Sequence, residues 1–388
     1  MKKLSVLLLL LSGSLNLHAQ RQEDTSTRYK PIIPLERAKL LKNIDMIANM
    51  QFGFENRFQD GEHTSSEFRN EQFRLEIKGK VHDKVYFRFR DRYTRDPLTQ
   101  SLDNLSRSTD MAYIRVDATP KWSFSFGKMC ADWGGYEFDY NPIDIYEYSD
   151  MIEYADNFLT GVGASYNLNA QHQFSGQVLN SRTATFEELY DSIPGVTESK
   201  FPLAFVVNWR GSMWEGKFNT IWSYSLFVDA KSYYMHYVAL GNQLKLKKFI
   251  AEYDFSLSSE ALDRKGIVSD HIPKSVYPTR ALDVLYMSHW LKLDYRFRPQ
   301  WSLSVIGMAD IANWYGNPDP GKDNHFRTAF GIIPALEYFP FKNLNLKFYA
   351  SYVQRLYNYS AYAEKAFSVK DYNTGRFTVG FISPLLIL

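Results

Sequence analysis

The stretch Asp45-Met46-Ile47-Ala48-Asn49-Met50-Gln51-Phe52-Gly53-Phe54-Glu55-Asn56-Arg57-Phe58 decides the fold. Met46, Ala48, Met50, Phe52, Phe54 and Phe58 share one parity, and Asp45, Asn49, Gln51, Glu55 and Arg57 share the other. Successive side chains of a strand point to opposite faces, so this spacing predicts a strand with one apolar and one polar face. The pattern repeats downstream. Phe73, Leu75 and Ile77 alternate with Gln72, Arg74, Glu76 and Lys78, and Val85, Phe87 and Phe89 with Tyr86, Arg88, Arg90 and Arg92. Similar stretches follow at 110–118, 121–130, 159–168, 171–180, 201–210, 217–228, 233–243, 249–258, 282–297, 301–311, 326–338, 344–356 and 372–384. About sixteen segments of roughly ten residues match the length of a tilted strand that crosses a bilayer.

The connections sort by length. Short ones follow the even-numbered stretches, as at 82–83, 169–170 and 298–300. Longer ones follow the odd-numbered stretches at 59–67, 95–109, 131–158, 181–200, 259–281, 312–325 and 357–371. A short link near 229–232 breaks the rule. An antiparallel transmembrane β-barrel with short periplasmic turns and long extracellular loops predicts this sorting, and a soluble sandwich does not. The fold expected is therefore all-β, a closed barrel over 44–388.

Upstream, Lys2 and Lys3 precede the apolar run 4–11, and Ala19 ends a more polar stretch, the layout of a cleavable export signal over 1–19. Residues 20–43 would form a periplasmic segment in which Leu35, Ala38 and Leu41 make one helical stripe. Removal of 1–19 leaves 43 Lys or Arg against 43 Asp or Glu, so no basic excess argues for nucleic acid. The single cysteine, Cys130, excludes an internal disulfide and reads as a packed residue. With 28 Phe, 27 Tyr, 8 Trp and a mean hydropathy of −0.36, the chain is aromatic yet polar on average. Barrels in the outer membrane have that balance, because every second residue faces lipid.

If the apolar parity faces lipid, the other lines a lumen, where charges select what passes. Arg74, Arg88, Arg90, Arg92 and Arg115 would form a basic wall. A tight turn near His82 would set Arg74 opposite Arg90 and Glu76 opposite Arg88. The acidic counterpart is the loop 131–158, with Asp132, Glu137, Asp139, Asp144, Glu147, Asp150, Glu153 and Asp156 and no Lys or Arg. Its Trp133, Tyr136, Phe138, Tyr140, Tyr146, Tyr148 and Tyr154 supply too much apolar surface for a disordered tether. Folded inward, the loop would face the arginines and set up a transverse field across a constriction. Folded outward, it would bind lipopolysaccharide through cations.

The runs Phe68-Arg69, Phe73-Arg74-Leu75-Glu76, 84–90, Asp110-Met111-Ala112-Tyr113-Ile114 and Phe126-Gly127-Lys128, followed by Gly134-Gly135 and Glu137, resemble the phosphate-selective porin O and P family. The resemblance covers about residues 45–165. It implies a sixteen-stranded, homotrimeric outer-membrane porin whose loop after the fifth strand narrows the channel. Arg74, Arg88 and Lys128 fall within the shared runs, and no phosphate-binding role is carried onto them. The loop is acidic where phosphate-specific members have a basic pore, and the chain ends on Leu388 and not on an aromatic residue. The expectation is a passive channel for small polar or anionic solutes, phosphate among them, in contact with outer-membrane lipid and lipopolysaccharide. The other reading is a barrel acting as an adhesin or as a subunit of a surface assembly. No metal, cofactor or catalytic group is expected, since only His63 and His271 have neighbouring carboxylates (Glu62 and Asp270) and both fall on long loops.

Overall fold

A computed structural model describes residues 43–95 and 102–388. The expected export signal and the expected helical stripe near residue 35 lie outside the described residues.

Sixteen strands follow in chain order: β1 Ile44–Gln59, β2 Glu62–His82, β3 Val85–Arg92, β4 Thr109–Asp117, β5 Trp122–Cys130, β6 Phe158–Asn167, β7 His172–Asn180 and β8 Leu203–Met213. After them come β9 Phe218–Ala230, β10 Tyr233–Lys245, β11 Phe249–Leu262, β12 Leu282–Arg298, β13 Trp301–Trp314, β14 His325–Tyr338, β15 Lys347–Tyr359 and β16 Tyr372–Leu386. Each pairs antiparallel with its neighbours in sequence, and β16 pairs with β1 from Ile47↔Leu386 to Gln59↔Thr374. Closure leaves no edge, so the ladder satisfies the wall's backbone groups without water. The outer face exposes Phe54, Phe124, Phe126, Phe174, Phe205, Phe330, Phe348, Phe377 and Val379, the surface that lipid covers. On the final strand Phe381 packs on Phe52 of β1, with ring centroids 5.7 Å apart.

Two expectations change. Residues 59–67 are not a long loop: β1 and β2 run past the wall as a hairpin turning at Asp60 and Gly61, whose φ angles of 51° and 85° make the tight reversal. His63 therefore lies in a strand, its ring on the Ser66 hydroxyl at 2.7 Å. The β2–β3 register also differs by two residues, with Arg74 opposite Arg92, Glu76 opposite Arg90 and Lys78 opposite Arg88. The turn sits at Asp83-Lys84 and not at His82, and an irregularity between Lys80 and His82 moves the ladder by one more position.

Among the described residues four short α-helices interrupt the loops: α1 Tyr136–Asp139, α2 Asp150–Glu153, α3 Phe186–Tyr190 and α4 Ala361–Phe367. Two of them, α1 and α2, belong to the segment between β5 and β6, which folds into the barrel. Trp133 packs on Phe227 and Tyr237, both at 5.0 Å between ring centroids. Ile143 and Tyr146 pack on Ile306, Ile333, Val353 and Ile382, which point inward from the wall. Burying a side chain such as Ile143 completely contributes about 1.5–3 kcal/mol. That apolar pairing holds the segment against the wall.

Candidate functional site

The β4 strand opens with a bulge that places its acid. Arg90 pairs with Met111 and Asp91 with Thr109, so Asp110 is the extra residue and turns into the lumen. Asp110 Oδ2 accepts from Arg74 Nε at 2.9 Å and lies 3.2 Å from Arg90 Nε, while Oδ1 accepts from Arg92 Nη2 at 2.8 Å. Three guanidinium groups thus share one fully buried carboxylate. Like charges on paired strands repel, and Asp110 is what allows Arg74 and Arg92 to face each other. Nothing in the alternation singled Asp110 out; its parity is that of Ala112 and Ile114, which face lipid.

The rest of the basic wall is more open. Arg88 donates from Nε to Glu76 Oε1 at 2.7 Å. Arg115 donates to Asp117 at 3.0 Å and lies 4.8 Å from the centre of the Tyr86 ring. Arg74 and Arg90 are buried, whereas Arg88, Arg92 and Arg115 keep part of the guanidinium in the lumen. Lys128, within the runs shared with the family, pairs with Asp103 at 3.1 Å and is buried.

The acidic segment lies inside the lumen, but its anchors are not the β2–β4 arginines. Asp132 and Asp139 both accept from Arg210 of β8 at 2.8 Å. Asp144 lies 3.0 Å from Lys347 of β15. Glu147 accepts from Arg376 of β16 at 2.8 Å, and Asp150 accepts from Arg355 at 2.7 Å and from Arg327. Glu137 turns back on its own loop, accepting from the Ser149 N–H at 2.6 Å and the Ser149 hydroxyl at 2.7 Å. Burial pushes the Glu137 carboxyl up to about 8, and these two donors work against the shift without cancelling it. Asp156, nearer the loop's end, accepts from the Thr183 N–H and hydroxyl, both at 2.9 Å. Burial, with Glu147 next in effect, also raises the Glu153 carboxyl.

Neutral partners complete the seat. Tyr146 donates to Glu337 and Tyr140 to Glu252, each at 2.7 Å, and Lys292 donates to the Tyr140 hydroxyl at 2.9 Å. The Glu137 N–H donates to Asp254 at 2.7 Å. Gly135 meets the wall where only a glycine fits: an added Cβ would lie 2.5 Å from the Asp254 carboxylate. Facing it on β10 is Gly241, whose own added Cβ would be 2.9 Å from Gly135 Cα. The Gly135–Gly241 pair therefore lets backbone approach backbone.

Sequence reading named the loop but not the cations that anchor it. The basic residues of the later strands, Arg210, Arg327, Lys347, Arg355 and Arg376, share the lumen parity of their strands, and nothing in their spacing marks them as partners of one loop 71 to 229 residues away. Among the described residues, no cluster of three or more His, Cys, Asp or Glu is placed to hold a metal ion.

A cavity of about 1820 Å³ remains between the segment and the wall, mostly β1–β7 with residues of β8, β12 and β14–β16. Arg88, Arg92, Arg95 and Arg115 line it on the wall side, and Asp144, Glu147, Glu153 and Asp156 on the loop side. It reaches the short turns at Asp83 and Lys121. Its described lining holds thirteen Lys or Arg and thirteen Asp or Glu, so the cavity is formally neutral while its two faces differ in sign.

Similar folds are known among solved structures. The outer membrane channel DcaP of Acinetobacter baumannii superimposes with a TM-score of 0.56 at 12% identity, over 87% of this chain and 96% of that one. A loop L8 deletion mutant of OmpT, an outer membrane protein of Vibrio cholerae, gives 0.55 at 10% identity over 88% and 98%. Salmonella typhi OmpF, in complex with daunomycin, gives 0.53 at 12% identity over 87% and 98%. At such identities the likeness concerns the fold alone. No curated protein matches the sequence. The family model of the phosphate-selective porins O and P matches residues 44–382, the whole wall up to the last few residues of β16. With its closed sixteen-stranded barrel and inward acidic segment, the chain belongs to the phosphate-selective porin O and P family and is an outer-membrane porin.

Proposed function

We propose that the lumen is a passive, weakly selective route for small polar and anionic solutes, phosphate among them. The observation that carries this reading is the neutral but divided cavity beside the loop. Arg88, Arg92 and Arg115 present partly exposed cations on one side, and Glu147 and Glu153 acids on the other. A field across a narrow aqueous path orients dipolar solutes and offsets part of their lost hydration. An anion moves along the arginine side, where successive guanidinium groups replace its water. It does not stop there, because Glu76, Asp110 and Asp117 already engage Arg88, Arg92 and Arg115.

The five arginines 74, 88, 90, 92 and 115 act as the basic side of the constriction, and the carboxylates of 131–158 as its acidic side. Within that scheme Arg74, Arg90, Asp132, Glu137, Asp139 and Asp150 position the two faces, while Arg88, Arg92, Arg115, Asp144, Glu147 and Glu153 meet solute. The assembly is a homotrimer in contact with lipid and lipopolysaccharide, which family membership supports. Heat-modifiable migration and cross-linking test the trimer.

The deciding experiment is conductance of the purified protein in planar bilayers, with the reversal potential measured under a salt gradient. Discrete channels with a mild anion preference are expected. No channel activity, or block of the current by micromolar phosphate, would overturn the weakly selective reading.

A further inference from the structure

One row of the cavity wall sets a cation, a ring and a second cation side by side. Lys80 of β2 pairs with Tyr86 of β3, and Tyr86 with Arg115 of β4. All three line the cavity. Paired strands lie about 4.8 Å apart, so the two long cationic side chains flank the ring within reach of one small solute. Arg115 lies over Tyr86, with Cζ 4.8 Å from the ring centre. The Tyr113 ring, one step further up β4, is 6.4 Å from that of Tyr86.

Other cations beside this cavity also lie on rings, but acids hold them more fully. Lys292 on Tyr140 meets Asp294 at 3.0 Å, and Lys347 on Tyr146 meets Asp144 at 3.0 Å and Glu337 at 2.8 Å. Arg90 on Phe158 shares the buried Asp110. Arg115 donates only from Nε, to Asp117, which leaves its two Nη groups without a partner among the described residues. Lys80 is exposed, and among the described residues no carboxylate pairs with it. The row thus carries one more positive charge than Asp117 offsets. Next along it stand Ser125 and Gly163, whose small size leaves the cavity open on that side of Arg115.

A guanidinium has two flat faces, and Tyr86 covers one of them. The other suits a second ring, because the group is planar, weakly hydrated and attracted to aromatic faces. A solute lying across the row sets a flat body on Arg115 and a carboxylate against the Lys80 ammonium. A tetrahedral anion meets the charges but not the flat face, and a saturated ring lacks the π electrons that the guanidinium attracts. We propose that this row binds small aromatic carboxylates ahead of aliphatic ones of the same charge and similar size. The proposal rests on the lumen being a solute route and narrows which anions that route favours.

The test is block of the single-channel current by benzoate and by cyclohexanecarboxylate, which share a charge and nearly share a size. Benzoate should halve the current of the unmodified protein at a roughly fivefold lower concentration. Arg115→Lys keeps the charge but loses the flat face, so the two acids should block it alike. Tyr86→Leu, which removes the ring that orients Arg115, should also lose the preference. Lys80→Gln should weaken block by both acids and leave their ratio unchanged. Heat-modifiable migration on unboiled gels reports whether each variant is folded. Calorimetric titration of the detergent-solubilised protein with the same two acids reads the preference without conduction. A preference seen there in a protein that forms no channels would overturn the solute route and leave the row's specificity standing. Equal potency of the two acids on the unmodified protein would overturn the proposal. So would a preference that survives both Arg115→Lys and Tyr86→Leu, which would place aryl binding elsewhere in the lumen. Displacement of benzoate by an equal concentration of inorganic phosphate would also overturn it and make the row a site for charge alone.

Discussion

Asp110 and Arg74, 36 residues apart in the chain, meet at 2.9 Å inside the barrel wall, on a bulge that turns the acid away from lipid. Around this contact the arginines of β2 and β3 are held in place. Asp110→Asn leaves Arg74 buried beside Arg90 without its paired carboxylate. Removing one partner of a buried ion pair costs about 3–5 kcal/mol. The temperature at which the folded band disappears on unboiled gels should fall accordingly. An unchanged transition would mean that the cluster is open to water and contributes little.

A second test concerns the loop. Asp150 accepts from Arg355 at 2.7 Å and from Arg327, and Arg355 also donates to Asp310 at 2.9 Å. Asp150→Asn should weaken this anchor by a similar 3–5 kcal/mol while the strands stay paired. Single-channel recordings should then show larger and noisier currents, with barrel content by circular dichroism unchanged. Currents as quiet as those of the unmodified protein would show that the remaining contacts suffice to hold the loop.

Arg115 separates selectivity from stability. Its side chain is 38% exposed and its pair with Asp117 is local, so Arg115→Gln should change stability by less than about 1 kcal/mol. The reversal potential should nevertheless move toward cation preference, and further with Arg88→Gln added. No shift in the double variant would exclude this wall from the filter.

The loop should respond to alkali. The Glu137 carboxyl is raised by burial from 4.5 to about 8, so the folded state favours its neutral form. That stabilisation is fully present below 4.5 and is lost as pH rises through about 8. Conductance noise should therefore grow above that pH, and Glu137→Gln, neutral throughout, should flatten the response. Identical pH profiles for the two proteins would remove Glu137 from the account.

Gly135→Ala tests the close approach to β11. The added methyl carbon would lie 2.5 Å from the Asp254 carboxylate, and overpacking of this kind costs about 1–3 kcal/mol. Limited proteolysis between β5 and β6 should speed up, with cleavage elsewhere unchanged.

Much of this protein follows from the order of its residues alone. Alternation of the kind seen from Met46 to Phe58 forces one face toward lipid, and repetition about sixteen times forces closure, because an open edge in a bilayer leaves backbone groups without partners. The aromatic content of the acidic loop, with no Lys or Arg among its carboxylates, likewise announces a segment that packs and needs cations from elsewhere. Which cations they are is decided only by the closed barrel. Register counted from one turn moves when that turn is misplaced or a bulge intervenes, so Arg74 faces Arg92 and Asp110 points inward against its parity. Closure brings Arg327, Arg355 and Arg376 around to a loop about two hundred residues earlier. The alternation thus determines that charges line the lumen. Only the three-dimensional circumference determines which carboxylate each of them meets and which, such as Arg88 and Arg115, keep part of the guanidinium in the lumen.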